Sequence, residues 1–286
     1  MTRKSEVDQI TGPIAAHGEG PVWFAGWPGL RWVDMLAGDV LELDPETAAV
    51  TRRRVGAVAA ALRPRPDGRA VLALERGFAF ADASLAEIRP LGELWSDPGI
   101  RMNDGGCDPD GRFYCGSMAY DGRPGAGSLH RVDTEGSVTT VLTGVTISNG
   151  LAWSPDGTIA YYVDTPTRRI DAFDYQNGEL TARRRVVRIP EEAGAPDGLT
   201  VDADGRLWVA LWGGAAVHCY GLDGKLEERV PLPVTRVTAC AFGGPGLDEL
   251  YVTTSRQEIE EGSQPEAGAL FRYRPGVRGL AVLTFG

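Results

Sequence analysis

No apolar run in this 286-residue chain approaches the ~18 residues that a membrane-spanning helix needs. The N-terminal stretch MTRKSEVDQITGPIAAHGEG likewise lacks the apolar core of about 7–15 residues that marks a secretory signal. The expected setting is therefore cytoplasmic, with no membrane partner. Cysteine is scarce: Cys107, Cys115, Cys219 and Cys240 form no C-x-x-C pair, so buried, reduced thiols are expected. The three histidines, His17, His130 and His218, show no zinc-like spacing. Positive charge is in deficit, with 29 Lys and Arg against 39 Asp and Glu. A net charge of −10 argues against nucleic acid as a partner, because phosphate neutralisation needs a basic surface. No segment sustains a 3.6-residue apolar period beyond about two turns, which argues against a helical architecture.

What the chain does contain is a repeat. Four segments share one cadence: RPRPDGRAVLAL (63–74), CDPDGRFYCGSM (107–118), WSPDGTIAYYVD (153–164) and VDADGRLWVALW (201–212). Their turn aspartates, Asp67, Asp110, Asp156 and Asp204, are spaced by 43, 46 and 48 residues. FGGPGLDELYVTT (242–254) and VWFAGWPGLRWVD (22–34) keep the rhythm with Pro-Gly in the turn. Each unit continues with a third β-like run, such as RRIDAFDY or AAVHCYGL, and several add a fourth, such as TARRRVVRI. Four short strands per unit of ~45 residues, six times over, predict an all-β, six-bladed β-propeller occupying residues 1–286 as one domain. The N-terminal SEVDQI and the C-terminal GLAVLTF are both strand-like, and one is expected to complete a blade with the other.

The repeat also defines a ring. Seven residues before the turn, just ahead of each blade's first strand, stand Ala60, Asn103, Asn149, Asp197 and Thr238, and alignment on GPVW adds Glu19. First strands line a propeller's central channel, so these positions should converge at one mouth. Asn-Gly and Asp-Gly are common turn dipeptides, and any one of these residues alone would pass for a turn. Four oxygen-bearing side chains at one phase of an independent repeat, Glu19, Asn103, Asn149 and Asp197, instead suit a hard divalent cation such as Ca²⁺ or Mg²⁺. Three or four protein ligands leave coordination positions for water and substrate.

The segments HGEGPVW, RMNDGGCDPDGRFYCGSM, ISNGLAWSPDG, IDAFDY, PDGLTVDADGRLWVALWGG and CAFGGPGLDELYVTT, in this order, resemble the SMP-30/gluconolactonase/regucalcin-like family over nearly the whole chain. The resemblance implies a six-bladed propeller with one divalent metal ion in its channel, Ca²⁺ foremost and Zn²⁺, Mn²⁺ or Mg²⁺ as alternatives, hydrolysing sugar lactones. It implies Glu19, Asn149 and Asp197 as metal ligands, Arg101 and Asn103 as substrate contacts, and Asp121 as an acidic substrate contact from the loop after GSM. Asp197 is then the catalytic base as well as a ligand. Asp104, next to Asn103, should by strand alternation face away from the channel. Trp153, Trp208 and Trp212 should fill the core between blades, with Trp212 the one able to wall a pocket. The expected partner is a small sugar lactone and the expected state a monomer or weak homo-oligomer. A non-catalytic calcium-binding propeller, or a metal-dependent esterase or phosphotriesterase, are the alternative functions.

Overall fold

Alternating apolar and polar residues with turn glycines every few residues leave this chain one way to bury its strands: each sheet packs both faces against neighbouring sheets. The computed structural model describes residues 7–286 and shows six four-stranded antiparallel sheets. Blade 1 runs through Gly18–Trp23, Leu30–Asp34, Asp39–Leu43 and Val50–Arg54. Blades 2 to 5 begin at Ala59–Pro64, Ile100–Cys107, Ser148–Trp153 and Ala195–Val201, and blade 6 at Val237–Gly243. Each of these inner strands lies against its neighbours, and the first meets the sixth, so the ring closes. This is the six-bladed propeller that the repeat predicts.

Bulky side chains fill the space between blades. Trp32, Trp208, Phe113 and Tyr114 are fully buried, and Trp153 packs against Tyr114 with ring centroids 5.6 Å apart. Outer strands end in charge: Val50–Arg54 carries three exposed arginines and Glu179–Arg188 another run of them, which blunts the free sheet edges against further pairing. The four cysteines are all buried and unpaired. Among the described residues no helix is long and apolar enough to cross a membrane.

The two ends behave differently from one another. Asp8–Gln9 pairs with Phe271–Tyr273 and becomes the outer strand of blade 6. Ser5 and Glu6 of the expected N-terminal strand lie outside the described residues. The C-terminal GLAVLTF, expected as a strand, joins no blade. It leaves blades 5 and 6, where Arg278 O accepts Ala203 N–H and Gly279 N–H reaches Leu247 O, and arrives at blades 2 and 3, where Phe285 N–H reaches Pro64 O and Gly286 N–H reaches Gly111 O. The tail thus crosses the face that carries the Asp-Gly turns, with Phe285 fully buried at its end. Its apolar alternation comes from covering the channel, not from sheet pairing. A cavity of ≈ 410 Å³ remains inside, bounded by Gly20, Asp104, Gly198 and Cys240 on one side and by Leu280–Leu283 of the tail on the other.

Candidate functional site

Each inner strand carries a register shift at the ring position: Glu19/Val22, Ala59/Ala61, Met102/Gly105, Ser148/Leu151, Pro196/Leu199 and Val237/Ala239. A bulge re-aims side chains at the place where strands crowd round the axis. The ring residues therefore lie within their strands, not ahead of them. The glycines after Asn149 and Asp197 also stop looking like turn glycines. A Cβ on Gly150 would stand 2.6 Å from Leu199 N, and one on Gly198 would stand 2.9 Å from Ala239 Cα. Asn-Gly and Asp-Gly are used here for close approach of neighbouring inner strands.

The bulges gather a buried acidic cluster. Glu19 and Asp197 are 3% and 5% exposed. The carboxyl of Glu19 is held well above its ordinary range, first by burial and then by the charge of Asp197, with Asp104 adding to it. Asp197 is raised in the same way, by burial and then by Asp104. Asn149 donates its amide to Thr165 Oγ1 at 3.0 Å, and its proximity to the Asp197 carboxyl works against that rise. Two buried oxygens, Asn149 Oδ1 and Asp197 Oδ1, have no hydrogen-bond partner. Burying an unsatisfied oxygen costs about 1–3 kcal/mol, more if it is charged, so the fold keeps these two for a purpose. Among the described residues no three His, Cys, Asp or Glu side chains come together as a metal-holding group. The donors that could hold a cation are the mixed set Glu19, Asn149 and Asp197, all oxygen, which suits a hard divalent ion.

Arg101 is the buried cation facing this cluster. Its Nη1 donates to Asn103 Oδ1 at 2.6 Å and to Met102 O at 2.9 Å, and its charge lowers the carboxyl pKa values of both Glu19 and Asp197. Asn103 Nδ2 in turn donates to Ser148 O at 2.9 Å, tying blade 3 to blade 4. Glu19, Arg101, Asn103, Asn149 and Asp197 are thus brought together.

Two expectations, on Asp104 and Trp212, need correction, and Asp121 lies apart from the cluster. Asp104 does not face away from the channel: the bulge between Met102 and Gly105 breaks the alternation, and Asp104 is buried, lines the cavity and acts on both Glu19 and Asp197. Burial raises its own carboxyl, with Arg63 opposing. Asp121 stands outside the cluster, exposed in a turn, where its Oδ1 accepts Arg123 N–H and its Oδ2 pairs with Arg123. Trp212 is not inter-blade core; it sits at the end of Leu207–Trp212, edge-on to His17 at 6.0 Å and under the Arg236 guanidinium at 4.7 Å. Trp153 and Trp208 are buried as expected.

His17 is a neighbour that zinc-motif spacing had no reason to select. Its Nδ1 meets Ser255 Oγ at 2.8 Å, its Nε2 lies 3.8 Å from Glu19 Oε1, and burial, with Arg101, pushes its pKa down to about 3. Its place two residues before Glu19, hence on the same face of an extended chain, was the only sequence signal.

Comparison with known proteins agrees with the fold. Residues 17–256 match the family model described as SMP-30/gluconolactonase/LRE-like region. The chain is 40% identical to pentonolactonase XacC of Haloferax volcanii, over 93% of each chain. It is 36% identical to regucalcin of Homo sapiens, over 94% of each. The solved structure of a calcium-binding protein, regucalcin, from Agrobacterium tumefaciens superposes with a TM-score of 0.91 at 29% identity, covering 99% of this chain and 97% of that one. With its closed ring of six blades and its acidic channel mouth, the chain belongs to the SMP-30/gluconolactonase/LRE-like family.

Proposed function

We propose that this protein hydrolyses sugar lactones at a divalent cation held by Glu19, Asn149 and Asp197, with Ca²⁺ the first candidate and Zn²⁺, Mn²⁺ or Mg²⁺ as alternatives. The observation that carries the reading is the pair of unpartnered buried oxygens, Asn149 Oδ1 and Asp197 Oδ1, beside the buried carboxyl of Glu19. A cation there would give both oxygens a partner and would hold the carboxyls ionised, reversing the shift that burial imposes. A relative named a pentonolactonase supports the choice of substrate class. When bound, the metal supplies Lewis acidity towards a carbonyl and an attacking water.

The chain's own groups do the rest. Asp197 accepts a proton from the water as its oxygen bonds to the lactone carbonyl carbon. The ring C–O bond then breaks, and the departing alkoxide takes the proton held by Asp197 to give the open hydroxy acid and restore the carboxylate. Arg101, fixed by Asn103, presents positive charge to the developing oxyanion or to a sugar hydroxyl. No covalent enzyme intermediate is needed. The whole chain works as one domain around this single site.

Following acid release in a pH-stat over a panel of aldonolactones, with and without chelator, tests the proposal. Turnover that chelation abolishes and Ca²⁺ or another divalent ion restores is expected; full activity in metal-free protein would refute the metal's role. Likeness to proteins named regucalcin favours one second reading, a calcium-binding propeller without turnover. Tight Ca²⁺ binding with no lactone opened would select it.

A further inference from the structure

Asp121, the acidic contact expected from the loop after GSM, is exposed and paired with Arg123 outside the buried cluster, and this leaves open what meets the hydroxyl groups of a bound sugar. The rim of the mouth holds an alternative. Second strands of the blades run back towards the ring: Ala59 pairs with Leu74 in blade 2 and Ile100 with Ala119 in blade 3. The next residues, Glu75 and Tyr120, therefore stand level with the ring on adjacent blades. Tyr120 Oη donates to Glu75 Oε1 at 2.7 Å, and the Tyr120 ring lies 5.7 Å from the Arg101 guanidinium carbon. Tyr120 is 47% exposed, unusual for a large aromatic side chain anchored at both its ring and its hydroxyl. Burial and Glu75 push its phenol up to about 12, so it stays a neutral hydroxyl at neutral pH.

We propose that Tyr120 and Glu75 form a hydroxyl-binding clamp on the rim, selecting polyhydroxylated lactones over unsubstituted ones. The clamp rests on the lactonase reading above and deepens it. Glu75 accepts hydrogen bonds from a diol, Tyr120 Oη can accept while it donates to Glu75, and the exposed ring face offers an apolar platform for the C–H face of a sugar. Arg101 beneath the ring joins the clamp to the reacting centre.

The test compares gluconolactone with δ-valerolactone, which has the same ring and no hydroxyls, in the parent, Tyr120→Phe, Glu75→Gln and Asp121→Asn. Where δ-valerolactone is not opened, its competitive inhibition constant replaces KM. Loss of a hydrogen bond made to substrate in both ground and transition states raises KM and spares kcat. Tyr120→Phe and Glu75→Gln should each raise KM for gluconolactone by ~10-fold, leave kcat within ~3-fold, and leave δ-valerolactone unaffected. Asp121→Asn should match the parent on both. A pair that only braces blades 2 and 3 would move both lactones in parallel or neither, and either result overturns the clamp. If the parent opens no lactone and binds none, the lactonase reading itself fails and takes the clamp with it. A parent that is active while its variants keep their selectivity sinks the clamp alone.

Discussion

Removing the charge of Asp197 should stabilise the metal-free protein and destabilise the metal-loaded one. In the metal-free fold Asp197 is buried beside Glu19 and Asp104, and its pKa is raised by burial and by Asp104. The folded chain then binds more protons than the unfolded one above the usual carboxylate range, so stability falls as pH rises through that range. Asp197→Asn deletes this penalty, worth on the order of 1–2 kcal/mol by analogy with other buried, poorly paired charges. With ~2.1 cal/mol/K of unfolding entropy per residue, 286 residues give about 0.6 kcal/mol per kelvin, so Tm in chelator should rise ~2–3 °C. The parent gains RT ln(1 + [L]/Kd) from a cation, about 2.7 kcal/mol at a hundredfold excess over Kd, which is ~4–5 °C. The variant should show little of that gain. Differential scanning calorimetry of both proteins, with chelator and with saturating Ca²⁺, Mg²⁺, Mn²⁺ or Zn²⁺, should give curves that cross over between the two conditions. A parent whose Tm ignores every divalent ion, or a variant that keeps the full shift, would refute the ligand assignment.

The remaining expectations follow from the same geometry. Asp197→Asn should lower kcat on the best lactone by ~10²-fold or more, because the proton acceptor is gone. Asp204→Asn should change it little, since Asp204 is exposed in a turn that Asp202 holds through the N–H groups of Asp204 and Arg206; equal losses in steady-state assays would count against the site. Arg101→Ala should keep the metal-induced rise in Tm while losing at least ~10-fold in kcat/KM, and parent-like hydrolysis would remove Arg101 from the substrate's surroundings. His130 and His218 should each contribute a loss of stability as pH falls from about 6.5 to 4, because burial lowers both to about 4 and the unfolded chain takes up protons there that the folded chain does not. This opposes the gain on acidification from the raised carboxyls of Glu19 and Asp197 and is read as the difference between parent and variant. The stability so lost is of order 1–3 kcal/mol per histidine, and His130→Asn should lack its share of that loss in urea titrations at pH 7 and pH 5.

The sequence alone determined the architecture, because a repeat is a statement about every unit at once. Asp-Gly or Pro-Gly turns at a ~45-residue period, followed by alternating runs, can bury their apolar faces only by stacking sheet on sheet. The same phase identified Glu19, Asn103, Asn149 and Asp197 as ring positions, and the structure gathers them with Arg101. Local pattern failed where a residue's direction depends on what crosses it. Asp104 needed a bulge that alternation does not encode, and the bulge comes from six inner strands crowding one axis. Asp121 and Tyr120 are neighbours in sequence, yet only the folded turn pairs one with Arg123 and leaves the other against Arg101. The C-terminal GLAVLTF has the alternation of a strand, and only the closed ring, with blade 6 already completed by Asp8–Gln9, left it the channel's far face to cover. Composition and period act along the chain and are legible there; side-chain direction at the axis is set by contacts between blades ~45 or more residues apart, and those exist only once the ring has closed.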